Sequence, residues 1–126
     1  MDGKPAAMLK PMDLKHRTRT YAVRVIRVYS ALPKTAEAQT IGRQMLRSGT
    51  SVVANYREGI RARSRAQYAT KLNISLMELE ETLYWFELLE AANIMPSDRL
   101  GAIKDETAQL SAVLVTLIKK AKRRQK

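Results

Sequence analysis

A chain of 126 residues fits one domain and is long enough to bury a single core. It contains no cysteine, which excludes disulfides and thiolate metal sites and suits a reducing, cytoplasmic setting. No apolar run approaches the roughly 18 residues of a membrane span, and five glycines with four prolines are few for a turn-dense β-sandwich or barrel. The formal charge is +11 and unevenly placed. Residues 1–63 carry 13 Lys+Arg against 4 Asp+Glu, residues 64–118 carry 4 against 8, and the last eight residues hold six cations. A basic first half, an acidic third segment and a basic tail suggest a polyanionic partner.

Residues 1–12 lack the apolar centre of a secretory signal and read as a flexible leader. A helix is predicted from Asp13 to Leu32, with Tyr21, Val25, Val28 or Tyr29, and Leu32 at helical spacing, and Pro33 stops it. Thr35 is the expected N-cap of a second helix with Glu37 in its first turn. Its apolar positions are Ile41, Met45, Val52, Tyr56 and Ile60, and Gly59 with the arginines after it marks the end. Ser64-Arg65-Ala66-Gln67 is a capping box opening a third helix. That helix has a core stripe of Tyr68, Leu72, Leu76, Leu79, Leu83, Phe86 and Leu89 or Glu90. Asn93 and Pro96 close it, and Ser97-Asp98 caps a fourth helix carrying Leu100, Ile103, Thr107, Leu110, Leu114, Leu117 and Ala121. Short connections between long amphipathic helices predict an all-α, antiparallel up-down four-helix bundle over 13–118, followed by a basic tail over 119–126.

One stretch of the second helix, "RSGTSVVANYREG", is poor in helix formers. Read as helix, Ser48, Ser51, Asn55 and Glu58 fall on one face, and Ser75 and Glu78 belong to a matching polar stripe on the third helix. Either both stripes are solvated, or small side chains let another helix approach closely with polar atoms bonded across the contact. The second reading is the stronger, because Gly49 and the β-branched residues beside it cost helix propensity without other gain. The segment "TLYWFELL" is apolar nearly all round, with Tyr84, Trp85 and Leu88 pointing away from the core stripe. A helix apolar on both sides is buried on both sides, which predicts self-association through these residues, unless Trp85 only caps one end of a monomeric core.

The arginines also align. Arg43, Arg47, Arg57 and Arg61 share a face of the second helix, as Arg17, Arg24 and Arg27 do on the first, with Arg63 and Arg65 at the following junction. These rows are expected to track the phosphate backbone of RNA or DNA through non-specific, salt-sensitive contacts. The competing use is ion pairing with the acidic third helix. Lys119, Lys120, Lys122, Arg123 and Arg124 form a second basic candidate that would equally suit a helix C-terminus. No base-reading motif appears. Enzyme chemistry is not expected: His16 has no partner at metal-ligand spacing, and no Glu-x-x-His pair, phosphate loop or nucleophile elbow is present. Glu58, Glu78 and Glu81 make at best a weak hard-cation set, so neither cofactor nor metal is expected.

"GRQMLRSGTSVVANYREGIRARS" followed by "AQYATKLNISLMELEETLYWFELLEAANIM" resembles the bacterial four-helix-bundle proteins related to the ribosomal-RNA intervening-sequence proteins. That family also includes, more distantly, the accessory variability determinant of diversity-generating retroelements. The similarity is densest over residues 41–95, through Arg47 to Ser51, Ala54-Asn55, Glu58, Leu72, Ser75-Leu76, Glu78 and Thr82 to Trp85. The resemblance implies a four-helix protomer assembling as a ring-like homopentamer without enzymatic activity. In the retroelement branch it implies a basic barrel that binds the reverse transcriptase and its template RNA. The alternative is a self-assembling protein-interaction module whose basic face is incidental.

Overall fold

Four α-helices follow one another through short connections: α1 (Pro11–Ser30), α2 (Ala36–Ile60), α3 (Arg65–Ala91) and α4 (Ser97–Arg124). They are seen in a computed structural model, which describes residues 11–124; most of the expected leader (1–10) and the last two tail residues (125–126) lie outside the described residues. The described residues contain no strand. Pro11 and Met12, assigned to the leader, belong to α1, and the basic segment from Lys119 to Arg124 continues α4.

Local chemistry sets the helix ends. Thr35 caps α2 by accepting from the Ala38 N–H, as expected. Ser64 likewise accepts from Gln67 N, but the Gln67 carboxamide reaches past the cap to the Arg63 N–H at 3.0 Å. α3 ends in a Schellman turn. Asn93 takes a left-handed φ of 57°, Ile94 N donates to Leu89 O and Asn93 N to Glu90 O. α2 ends at Ile60 with Arg61 as its C-cap, where the arginines are expected to close it, and Gly59 lies in its last turn. A Cβ there would lie 2.8 Å from Leu72 Cδ1, so its role is to admit α3.

The core gathers Leu14, Tyr21 and Val25 from α1, Met45, Val52 and Tyr56 from α2, Leu72, Leu79, Phe86 and Leu89 from α3, and Leu100, Leu110 and Leu114 from α4. Leu83, expected in the α3 stripe, is only partly buried, while Ser75 and Thr82 are fully buried. α3 is apolar on nearly every side, so hydrophobicity alone does not single out its inward face.

The small residues of α2 serve two neighbours. Gly42 and Gly49, one heptad apart, receive α1: a Cβ on Gly49 would meet the Val25 methyls at 2.7 and 2.9 Å. On the other side Ser48 meets Thr82, Val52 O accepts from Ser75 Oγ, and Gly59 faces Leu72. Polar ties join α4 to the rest. Tyr21 Oη and Thr107 Oγ1 lie 2.8 Å apart, and Lys104 pairs with Glu90 at 2.7 Å. Burial pushes the Tyr21 phenol up to about 12, so it stays protonated and hydrogen-bonding at any ordinary pH.

Candidate nucleic-acid interface

The inward residues of α2, from Ala38 and Met45 to Val52 and Tyr56, leave its opposite side to solvent. Arg43, Arg57 and Arg61 occupy that side, all exposed. Among the described residues none of them pairs with a carboxylate. Arg63 and Arg65 flank the α2–α3 junction, Arg65 exposed, and Lys119, Lys120, Lys122 and Arg123 are exposed on the last turns of α4. The side chain of Arg124 lies outside the described residues. On α1, Arg27 is exposed and Arg24 half-buried.

Two members of the expected rows are engaged elsewhere. Arg17 forks onto Glu106, Nη2 to Oε1 at 2.9 Å and Nε to Oε2 at 3.2 Å, with both side chains less than 20% exposed. It ties α1 to α4, and a phosphate would have to displace a bidentate, largely desolvated pair. Arg47 bends onto α3, with Nη2 2.5 Å from Glu81 Oε2 and Nη1 3.6 Å from Glu78 Oε1. Its guanidinium pKa is raised above its ordinary value, chiefly by the Glu81 hydrogen bond. The Trp85 indole N–H also donates to Glu81 at 3.0 Å and, with Arg47, holds that carboxyl below its usual range. Pairing with the acidic helix therefore claims Arg47, while Arg17 finds its acid on α4.

The stripe assigned to an interface is an internal seam. Ser48 and Ser75 are wholly buried between α2 and α3 of the same chain, so they are closed to a second subunit. Asn55 Nδ2 donates to Ser51 O one turn back, and Glu58 pairs with Lys71 at 2.7 Å. Glu78 is a half-buried carboxylate in ion-pair contact with Arg47 at 3.6 Å. Close packing across small polar residues is thus found, within the protomer.

Tyr84 is different. It stands 54% exposed on the far side of α3, in edge contact with Trp85 at 5.0 Å between ring centroids. Trp85 is partly buried against the core and Leu88 is half-buried. Met77, 58% exposed, extends this patch, and Val23 and Ile26 form a second exposed apolar pair on α1. Periodicity alone did not single out these last three. The signal was present in "YAVRVIRVY", where Val23 and Ile26 fall opposite Tyr21 and Val25.

The described residues hold no cluster of acidic, His or Cys side chains able to bind a metal. None of their helices is long and apolar enough to cross a membrane.

No curated protein matches this chain. A protein of unknown function from the S23 ribosomal protein family of Bacteroides thetaiotaomicron VPI-5482 is similar in structure, with a TM-score of 0.79 and 36% sequence identity. The match covers 83% of this chain and 97% of that one. The family model described as 23S rRNA-intervening sequence protein matches residues 10–116. With most of α1 to α4 inside that match, the chain belongs to the 23S rRNA-intervening sequence protein family.

Proposed function

We propose that this protein is a non-enzymatic, cytoplasmic scaffold that assembles from antiparallel up-down four-helix protomers and binds RNA or DNA through its phosphates. The observation that carries the reading is the outward basic row of Arg43, Arg57 and Arg61, continued by Arg63 and Arg65, with no carboxylate partner among the described residues. Unneutralised guanidinium groups in a row suit a repeating phosphate chain and give affinity without base readout. Gel-shift titrations of structured RNA against Arg43, Arg57 and Arg61 changed together to Glu test it. The expected result is a large loss of affinity and a shallower salt dependence; unchanged affinity rejects the reading in favour of a protein-interaction module with an incidental basic face.

Assembly as a ring-like homopentamer is part of the same proposal. The two exposed apolar patches lie on different helices, α1 and α3, each packed mainly on α2 and, for α3, on α4. A patch that meets a different patch on the next copy makes a heterologous contact, the kind that closes into rings. A basic ring of this family suits an accessory role beside a retroelement reverse transcriptase, and co-purification of that polymerase with the protein tests the assignment.

A further inference from the structure

The junction of α2 and α3 and the end of α4 border an open cleft of about 620 Å³ with two chemically distinct sides. Ile60, Tyr68 and Leu117 supply an apolar wall, and Arg63, Arg65 and Lys120 supply cations. No acidic residue lines it among the described residues. We propose that this cleft takes one unpaired nucleotide of an RNA strand, its phosphate against Arg63, Arg65 and Lys120 and its base against Tyr68 and Leu117. The inference rests on the nucleic-acid reading above and narrows it to single-stranded substrate and one named subsite.

The volume lies within the range of pockets that bury a small ligand. Its chemistry is that of a nucleotide rather than of a phosphate alone, because a bare anion has no use for the apolar wall. A duplex keeps its bases stacked and paired, away from a recess, whereas an unpaired base can turn out onto an aromatic ring. Tyr68 is half-buried, which fixes the ring while leaving part of it open to the cleft. Arg63 also borders a second hollow of about 570 Å³, lined as well by Arg61 and by the Lys71–Glu58 ion pair. A strand leaving the first cleft therefore meets Arg61 and then the exposed row of α2.

The test is fluorescence anisotropy on the full chain with three probes of one sequence: a single-stranded 12-mer RNA, the same strand with abasic positions, and its duplex. Tyr68→Leu keeps apolar volume and removes the aromatic face. It is expected to weaken the intact single strand by about fivefold or more while leaving the abasic strand and the duplex unchanged. Lys120→Glu, at an exposed position that does not endanger folding, is expected to weaken the intact and the abasic single strand alike. Equal affinity of wild type for intact and abasic strands overturns the base pocket, and so does full retention of single-strand affinity in Tyr68→Leu with native circular dichroism. Either result leaves the phosphate reading standing if Arg43, Arg57 and Arg61 changed to Glu still abolishes binding. Absence of binding to all three probes by the wild type overturns both, and displacement of RNA by a polyglutamate peptide at equal concentration overturns the nucleotide in favour of an acidic protein.

Discussion

Ser48 Oγ and Thr82 Oγ1 lie 2.7 Å apart at the centre of the α2–α3 seam, both residues wholly buried. Each hydroxyl also has a backbone carbonyl acceptor on its own helix, Thr82 to Glu78 O at 2.7 Å and Ser48 to Met45 O at 3.2 Å, so either can donate across the seam. Ser48→Ala removes one buried hydrogen bond but leaves the Thr82 proton satisfied, for an expected loss of about 1 kcal/mol. Ser48→Leu forces a large side chain between two packed backbones and is expected to cost about 1–3 kcal/mol or more. Urea unfolding with an unchanged m-value checks both.

Two glycines in helix interiors should respond to alanine with opposite signs. At Gly101 an added methyl would meet nothing within 4 Å, so Gly101→Ala gains helix propensity worth about 0.5–1 kcal/mol. At Gly49 the same gain is offset by contact at 2.7 Å with Val25, a stiff β-branched side chain that cannot swing aside. Gly49→Ala should therefore lower the midpoint of thermal unfolding, and Val25→Ala in the same chain should recover part of what the added methyl costs. A stabilised Gly49→Ala would refute the close approach of α1.

Acid should loosen the Trp85 corner. The Glu81 carboxyl is held below its ordinary value first by the Trp85 N–H and then by Arg47. A lowered folded-state pKa means the stabilisation is fully present above the unfolded value of 4.5 and is lost as pH falls through the lower folded value. Glu81 is about a third exposed, so solvent screening holds the effect to under about 1 kcal/mol. Trp85 is the only tryptophan, and its emission should shift on acidification with a midpoint below 4.5 in wild type. Glu81→Gln should abolish that transition.

The proposed head-to-tail contact makes a complementation prediction. Ile26→Glu spoils the α1 patch and Met77→Glu the α3 patch, both at exposed positions where the fold is not at risk. Each variant alone should be monomeric by light scattering. Mixed, they should form a dimer, because one intact α1 patch remains to meet one intact α3 patch. A self-paired α3 interface would instead leave Ile26→Glu fully assembled.

Much of the fold was legible because helix boundaries are written in short-range chemistry. Thr35, Ser64 and Asn93 act on backbone groups within five residues, and a local sequence carries that information whole. The inward residues of α4 were legible too, since one apolar face stands against a polar one, and so were Tyr21 and Val25 of α1. α3 was harder: with apolar residues nearly all round, Leu83, expected in the core stripe, is only partly buried while Thr82 is fully buried. The candidate site divided in the same way. Spacing put Arg43, Arg57 and Arg61 on one outward face, but it carried no sign that Arg47 would turn onto Glu81, or that Arg17 would find Glu106 from 89 residues away.

The amino-acid sequence by itself determined that this chain is helical, where α2 and α3 begin, and that its cations gather in rows. Those properties depend on neighbours within one or two turns. Only the tertiary structure decided which small residues admit α1 and which admit α3, which arginines are neutralised, and that Arg63, Arg65 and Lys120 border one cleft. Such outcomes depend on how helices far apart in the chain are placed against each other, and periodicity within a single helix holds no record of its neighbour.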